Sequence, residues 1–267
     1  MIGSISESTG LRQPPIRPRE DQKIEQIVLP SRNPVLLSDL LEDRDNLGYQ
    51  VEAELYLPKR CNDPAPGVVV SEGLGGLQDS RERGYGRRLA AEGYVVLVID
   101  SFTSRGVGRN GDLIRSYTVT EAMMLADAFA GLAYLSAHPD VDQGRIGIVG
   151  FSYGGMVSVL TSYSQIAELF LPAGPRFATH VSYYGCTIPR LEDPTTTGAP
   201  VTMFLGEQDR NVSIPRAQKI AADSSDGLGG RPHRVSTSHV YRGEAPIQSA
   251  ASICNRSSLP ERLRAHG

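Results

Sequence analysis

The pentapeptide "GFSYG", Gly150 to Gly154, fits the pattern G-x-S-x-G. The apolar run "RIGIVG" (145–150) stands directly before the serine and the helix-like stretch "YGGMVSVLTSYSQI" (153–166) directly after it. A strand turning sharply into a helix here would lift the Ser152 hydroxyl onto a corner where it can attack a carbonyl carbon. Side chains at Gly150 or Gly154 would collide with neighbouring elements in so tight a turn. The first N–H groups of the new helix lack intrahelical acceptors and carry partial positive charge. The Tyr153 N–H is therefore a candidate donor to the oxyanion of a tetrahedral intermediate. The chemistry on offer is acyl transfer.

A serine hydroxyl hardly ionises at neutral pH, so it needs a base, and the base needs an orienting acid. In "VTMFLGEQDRNV" an apolar strand ends at Leu205, and a short turn then carries Asp209. A carboxylate just beyond the carboxyl end of a strand suits the orienting acid, and Glu207 is its alternative. Five histidines are present: His138, His180, His233, His239 and His266. His138 falls at the end of a helix and His180 inside a strand. His233 and His239 follow Asp209 in the chain, and His239, near the end of the last strand candidate, is the better placed base. A second oxyanion donor can come from the loop of "VVVSEGLGG", from Gly73 or Leu74. That loop lacks the Lys-Ser/Thr of a phosphate-binding loop and the spacing of a dinucleotide fingerprint.

The elements that must carry these residues read as an alternation. "KIEQIVLP" and "YQVEAELYLP" are strands, the second with a period of two. "PAPGVVV", "YVVLVID" and "RIGIVG" are short continuous apolar runs, as expected of strands covered on both faces. Helix patterns lie between them: "RERGYGRRLAAEGY", and "TVTEAMMLADAFAGLAYLSAHP" with Thr120 as N-cap. "ATHVSYYG" and "PVTMFLG" are further strands, "SIPRAQKIAAD" a helix, and "RVSTSHVYRG" the last strand candidate. This is an α/β pattern with a mainly parallel sheet and helices on both faces. Residues 1–22 read as a poorly ordered arm. Residues 23–267 read as one domain, whose part after about residue 223 loses apolar periodicity.

Together these segments resemble the dienelactone hydrolase family of the α/β-hydrolase superfamily. The resemblance rests on "PAPGVVVSEGLGG", "LAAEGYVVLVIDSFTSRG", "HPDVDQGRIGIVGFSYGG" and "GEQD", and spans roughly residues 50–222. It implies an α/β-hydrolase fold and hydrolysis of a carboxylic ester or lactone through an acyl-enzyme. It places Ser152 as nucleophile and Asp209 as acid, with the Gly73 and Tyr153 N–H groups as oxyanion hole. It puts Glu72 in the position of the family's glutamate beside the nucleophile, here as a substrate contact or as a support behind the site. Arg105 and Arg115 fall where relatives place an arginine for a substrate carboxylate. No cofactor or metal is implied.

The sequence departs from the family pattern in two places. The archetypal members have cysteine where this chain has Ser152. The family's last strand ends in a segment resembling Tyr-x-Gly-Ala-x-His, whereas "YRGEAP" puts Pro246 in the histidine slot. Either the base is a displaced histidine, His239 first, or the chain is a catalytically weak or silent scaffold that binds a small molecule or partner in the old pocket. A change of reading frame after about Ala222 would account for the missing histidine and the Ser/Arg/Pro-rich tail together.

Composition narrows the class. At 40% hydrophobic and 21% charged residues, the 267-residue chain has the make-up of a globular domain. The net charge of −3, with both signs interspersed, argues against nucleic acid or an anionic membrane as partner. Cys61, Cys186 and Cys254 form no C-x-x-C pair, so reduced thiols are expected rather than a metal or redox site. The amino-terminal stretch has no apolar core of a secretory signal, and no apolar run approaches the roughly 20 residues that span a bilayer. The expectation is a cytoplasmic monomer or homodimer acting on a small-molecule ester or lactone.

Overall fold

The computed structural model describes residues 22–41, 48–59, 63–185, 191, 193–206, 209, 213–226 and 236–238. Eight strands form one sheet: β1 (Ile24–Ser31), β2 (Tyr49–Tyr56), β3 (Ala65–Ser71), β4 (Val95–Asp100), β5 (Val141–Phe151), β6 (Thr179–Tyr183), β7 (Val201–Phe204) and β8 (Ser236–Ser238). Their order is β1-β2-β4-β3-β5-β6-β7-β8. β1 and β2 are antiparallel to their neighbours, and every pair from β4 to β8 is parallel. This is the α/β-hydrolase arrangement expected above.

The continuous apolar runs divide between the two faces because successive strand side chains point oppositely. Val69 of β3 and Val95, Leu97 and Ile99 of β4 join one core. Val68 and Val70, with Val96 and Val98, join the other. Helix α1 (Glu82–Ala91) supplies Tyr85, Leu89 and Ala90 to the second core. Helix α4 (Glu121–Ala137) supplies Met124, Leu125, Phe129 and Leu132 to the first. Its N-cap is Thr120, whose Oγ1 accepts from the Met123 N–H at 3.3 Å. Between β4 and α4 lie two short helices that the sequence pattern does not announce, α2 (Ser101–Ser104) and α3 (Asp112–Thr118).

The stretch expected to be one helix after the serine is two, α5 (Tyr153–Leu160) and α6 (Ser164–Phe170). Hydroxyls make the break. Thr161 Oγ1 donates to the Ser158 carbonyl at 2.9 Å and Ser162 Oγ to the Val159 carbonyl at 2.6 Å. Such back-bonding competes with the helix ladder. The chain then pairs at Tyr163 with Thr196 before α6 begins. Helix α7 (Ile214–Asp226) follows β7 and buries Ala217 and Ile220. The expected last strand is seen over Ser236–Ser238. His239 and Pro246 lie outside the described residues, as do His233, His266 and the reading-frame question.

Candidate active site

Parallel strands bring their carboxyl ends to one edge, where ligands of open α/β sheets gather. The loop from Glu72 follows β3, Ser152 follows β5, Tyr184 follows β6 and Asp209 lies beyond β7. Three rings in cross-strand register underlie this edge. Phe151, Tyr183 and Phe204 are partners across β5, β6 and β7, stacked at 5.3 Å and 4.7 Å, and Tyr85 meets Phe151 edge-on at 4.8 Å. Each such pair adds about 0.5–1.5 kcal/mol beyond its burial, which stiffens the shelf under the serine.

Ser152 has φ 51° and ψ −110°, a backbone that L residues rarely adopt. Its N–H donates to the Tyr183 carbonyl at 2.9 Å, and its carbonyl accepts from Met156 as α5 starts. The two glycines of the pentapeptide are steric necessities. A Cβ on Gly150 would stand 1.8 Å from the Gly154 carbonyl oxygen, and one on Gly154 only 2.3 Å from the Ser71 oxygen. The strand therefore turns into the helix within a single residue, and Ser152 stays half-buried at the corner. Tyr153, at the first position of α5, is itself buried, and its hydroxyl donates to the Val119 carbonyl at 3.1 Å.

The β3–α1 loop passes beside the serine. A Cβ on Gly73 would lie 3.4 Å from Ser152 Cβ and 3.2 Å from Arg81 Nη2. The Gly73 N–H, expected in the oxyanion hole, instead donates to Glu82 Oε1 at 3.3 Å. The next N–H along the loop is that of Leu74, the other donor expected there. Glu82 is fully buried and also takes the Gln78 N–H at 3.0 Å and Arg81 Nε at 2.6 Å. Glu82 has no signal in the sequence. An acidic residue in the first turn of a helix reads as a dipole partner, and nothing in its spacing shows a reach back to Gly73.

Three further expectations change. Glu72 is fully buried, with no surface open to a substrate. Its Oε1 accepts from the Phe102 N–H at 3.1 Å, and its Oε2 has no partner among the described residues. Burial first, and then the Asp100 charge, hold its carboxyl well above the usual carboxylate range. Arg105 is taken up by Asp127 through a two-pronged pair, 2.6 and 3.2 Å, inside the fold. Arg115 is 8% exposed, and its guanidinium serves the Leu74, Val107 and Gly108 carbonyls.

Asp209 is half-buried, with its N–H on the Gly206 carbonyl at 3.0 Å in the turn after β7, and Glu207 lies outside the described residues. Neither described histidine meets the serine. His138 ends α4 and accepts the Asp140 N–H at Nδ1, before β5 begins. His180 is enclosed in β6 with Nδ1 on Thr161 Oγ1 at 3.0 Å and the Ser158 carbonyl at 3.1 Å. Burial pushes its pKa down to about 4, so it stays neutral.

A sheet of this order with a strained serine between β5 and its helix defines an α/β-hydrolase. Within that class the chain belongs to the dienelactone hydrolase family, whose model matches residues 51–227. It is 31% identical over 112 residues to the uncharacterized protein PA2218 of Pseudomonas aeruginosa, covering 41% of this chain and 29% of that one. It is 30% identical over 116 residues to esterase FrsA of Vibrio vulnificus, covering 43% of this chain and 26% of FrsA. The chain spans 29% to 66% of the length of the first relatives it matches. Among solved structures, the dienelactone hydrolase-like promiscuous phosphotriesterase P91 from metagenomic libraries is similar with a TM-score of 0.57. Identity there is 18%, over 88% of this chain and 98% of P91, a likeness of fold.

Proposed function

We propose that this chain is a serine hydrolase that cleaves a carboxylic ester or lactone through an acyl-enzyme. The observation that carries the reading is Ser152 at φ 51° on the corner between β5 and α5. A serine held in such a backbone is a strained residue with its hydroxyl at a helix start, the arrangement a nucleophile needs. In the proposed reaction Ser152 Oγ bonds to the carbonyl carbon while its proton passes to a histidine, His239 first and His233 second. Asp209 orients that imidazole and stabilises its charged form. The Tyr153 N–H and, in place of Gly73, the Leu74 N–H hold the oxyanion. Collapse of the tetrahedral intermediate breaks the carbon–oxygen bond, and the imidazolium returns the proton to the leaving alkoxide. For a lactone that alkoxide stays tethered to the acyl group. Water attacks the acyl-enzyme by the same steps and releases the acid.

The silent-scaffold reading has its own observation: Pro246 stands in the histidine slot, and His138 and His180 are both engaged elsewhere. Fluorophosphonate labelling separates the two, with the modified residue located by mass spectrometry and Ser152→Ala as control. Rapid labelling of Ser152 that falls in acid and is lost in His239→Gln supports the hydrolase. Folded protein that stays unlabelled overturns it in favour of the scaffold.

A further inference from the structure

The turn that carries Leu74 is gripped by two buried ions of opposite sign. The Gly76 N–H donates to the Gly73 carbonyl at 2.8 Å, closing a four-residue turn with Leu74 and Gly75 at its centre. The peptide between Gly73 and Leu74 is trans and planar, so the Leu74 N–H points away from that carbonyl. Fixing the Gly73 carbonyl therefore fixes the direction of the Leu74 N–H. On one side of the turn, Glu82 Oε1 accepts from the Gly73 N–H and Oε2 from the Gln78 N–H. On the other, Arg115 Nη1 donates to the Leu74 carbonyl at 2.6 Å. Gly76 has φ 72°, and a Cβ there would stand 3.2 Å from Arg115 Nη2, so the guanidinium lies flat against the turn.

We propose that Glu82 and Arg115 are positioning residues which together hold the Gly73–Gly76 turn so that the Leu74 N–H meets the oxyanion formed on Ser152. The proposal rests on the serine-hydrolase reading. The two residues lie 33 positions apart in the chain, one at the start of α1 and one inside α3. Each bonds backbone groups of the turn from the interior, where both are buried. Arg115, placed by family resemblance as a substrate contact, acts here through Leu74. A donor displaced by about 1 Å costs on the order of a hundredfold in rate, so the grip is a catalytic matter as well as a structural one.

The test measures phosphonylation of Ser152 in full-length wild type, Glu82→Gln, Arg115→Met, Arg115→Lys and the double variant Glu82→Gln/Arg115→Met. Hydrogen exchange over residues 72–78 is followed in parallel. Each of the first two substitutions is expected to lower the maximal labelling rate about tenfold to a hundredfold, with the half-saturating probe concentration little changed. Exchange over 72–78 should quicken while β3 and β5 stay protected. The double variant should fall short of the product of the single losses, because both act on one turn. Arg115→Lys should recover part of the rate, and it replaces Arg115→Met if that variant does not fold.

Faster exchange with an unchanged labelling rate would overturn the positioning role and leave a structural one. Unchanged exchange would overturn the grip itself. If wild type is not labelled at all, the hydrolase reading fails and the positioning role falls with it, while the exchange data still report whether the turn is held.

Discussion

The Ser152 N–H donates to the Tyr183 carbonyl at 2.9 Å, so the corner that bears the hydroxyl is tied to the end of the adjacent strand. The elbow is a junction of β5, β6 and α5, and its glycines are where backbones meet. Gly154→Ala would place a Cβ 2.3 Å from the Ser71 oxygen, and Gly150→Ala one 1.8 Å from the Gly154 oxygen. Each is expected to cost at least about 3 kcal/mol, because backbone cannot step aside. Gly144→Ala, on an exposed part of β5 where the nearest atom would be 3.4 Å away, should stay within about 0.5 kcal/mol. Urea denaturation of the three variants decides it; similar midpoints would contradict the steric argument.

Arg105 and Asp127 make the second prediction. Their side chains are 4% and 1% exposed, and Ser31 Oγ also donates to Asp127 at 2.7 Å. Asp127→Asn leaves a buried guanidinium without its counter-charge and is expected to cost about 3–5 kcal/mol. The joint replacement Arg105→Met with Asp127→Leu should recover much of that loss. A double variant as unstable as Asp127→Asn would show that the pair contributes more than its own desolvation.

Glu72 gives a prediction with a definite sign. Its folded pKa is raised, so the unfolded chain releases the proton first as pH climbs. The stability it contributes is whole below its unfolded pKa and declines as pH rises towards the folded value. Glu72→Gln keeps an acceptor for the Phe102 N–H and removes the ionisation. The variant should be more stable than wild type at pH 8, with a smaller difference at pH 4. Equal stability at both values would place the carboxyl in a more polar setting than its burial implies.

His180 shifts the other way. Held at about 4 in the fold, it stays neutral while the unfolded chain takes up a proton below its ordinary value of 6.5. Stability is therefore lost as pH falls from 6.5 to 4, by about 3 kcal/mol from this group. His180→Asn should show a shallower fall over that interval. Parallel unfolding curves for the two proteins across the range would remove His180 from the account.

The sheet was legible because buried strands advertise themselves: "VVLVID" can only be covered on both sides, and Val95 to Ile99 are. The elbow was legible because a glycine-spaced serine followed such a run. The arginines were not, since nothing near Arg105 announces Asp127, 22 residues on along a different helix. Glu82 was missed for the same reason: its partners are backbone groups of a loop, and backbone groups have no sequence. The strand expected over 145–150 reaches back to Val141, which pairs with Ala65, and the polar residues between Val141 and Ile146 bulge out of that register.

The left-handed backbone of Ser152 separates what shape demands of the elbow from what it does not. Gly150 and Gly154 are required for shape alone, so a chain with no use for the hydroxyl would still need both. Ser152 is different. Its conformation costs a non-glycine residue about 1–3 kcal/mol, and a glycine there would relieve it. Drift without a use for the hydroxyl runs downhill to glycine at this one position. The serine is thus the one residue of the elbow that shape alone does not ask for.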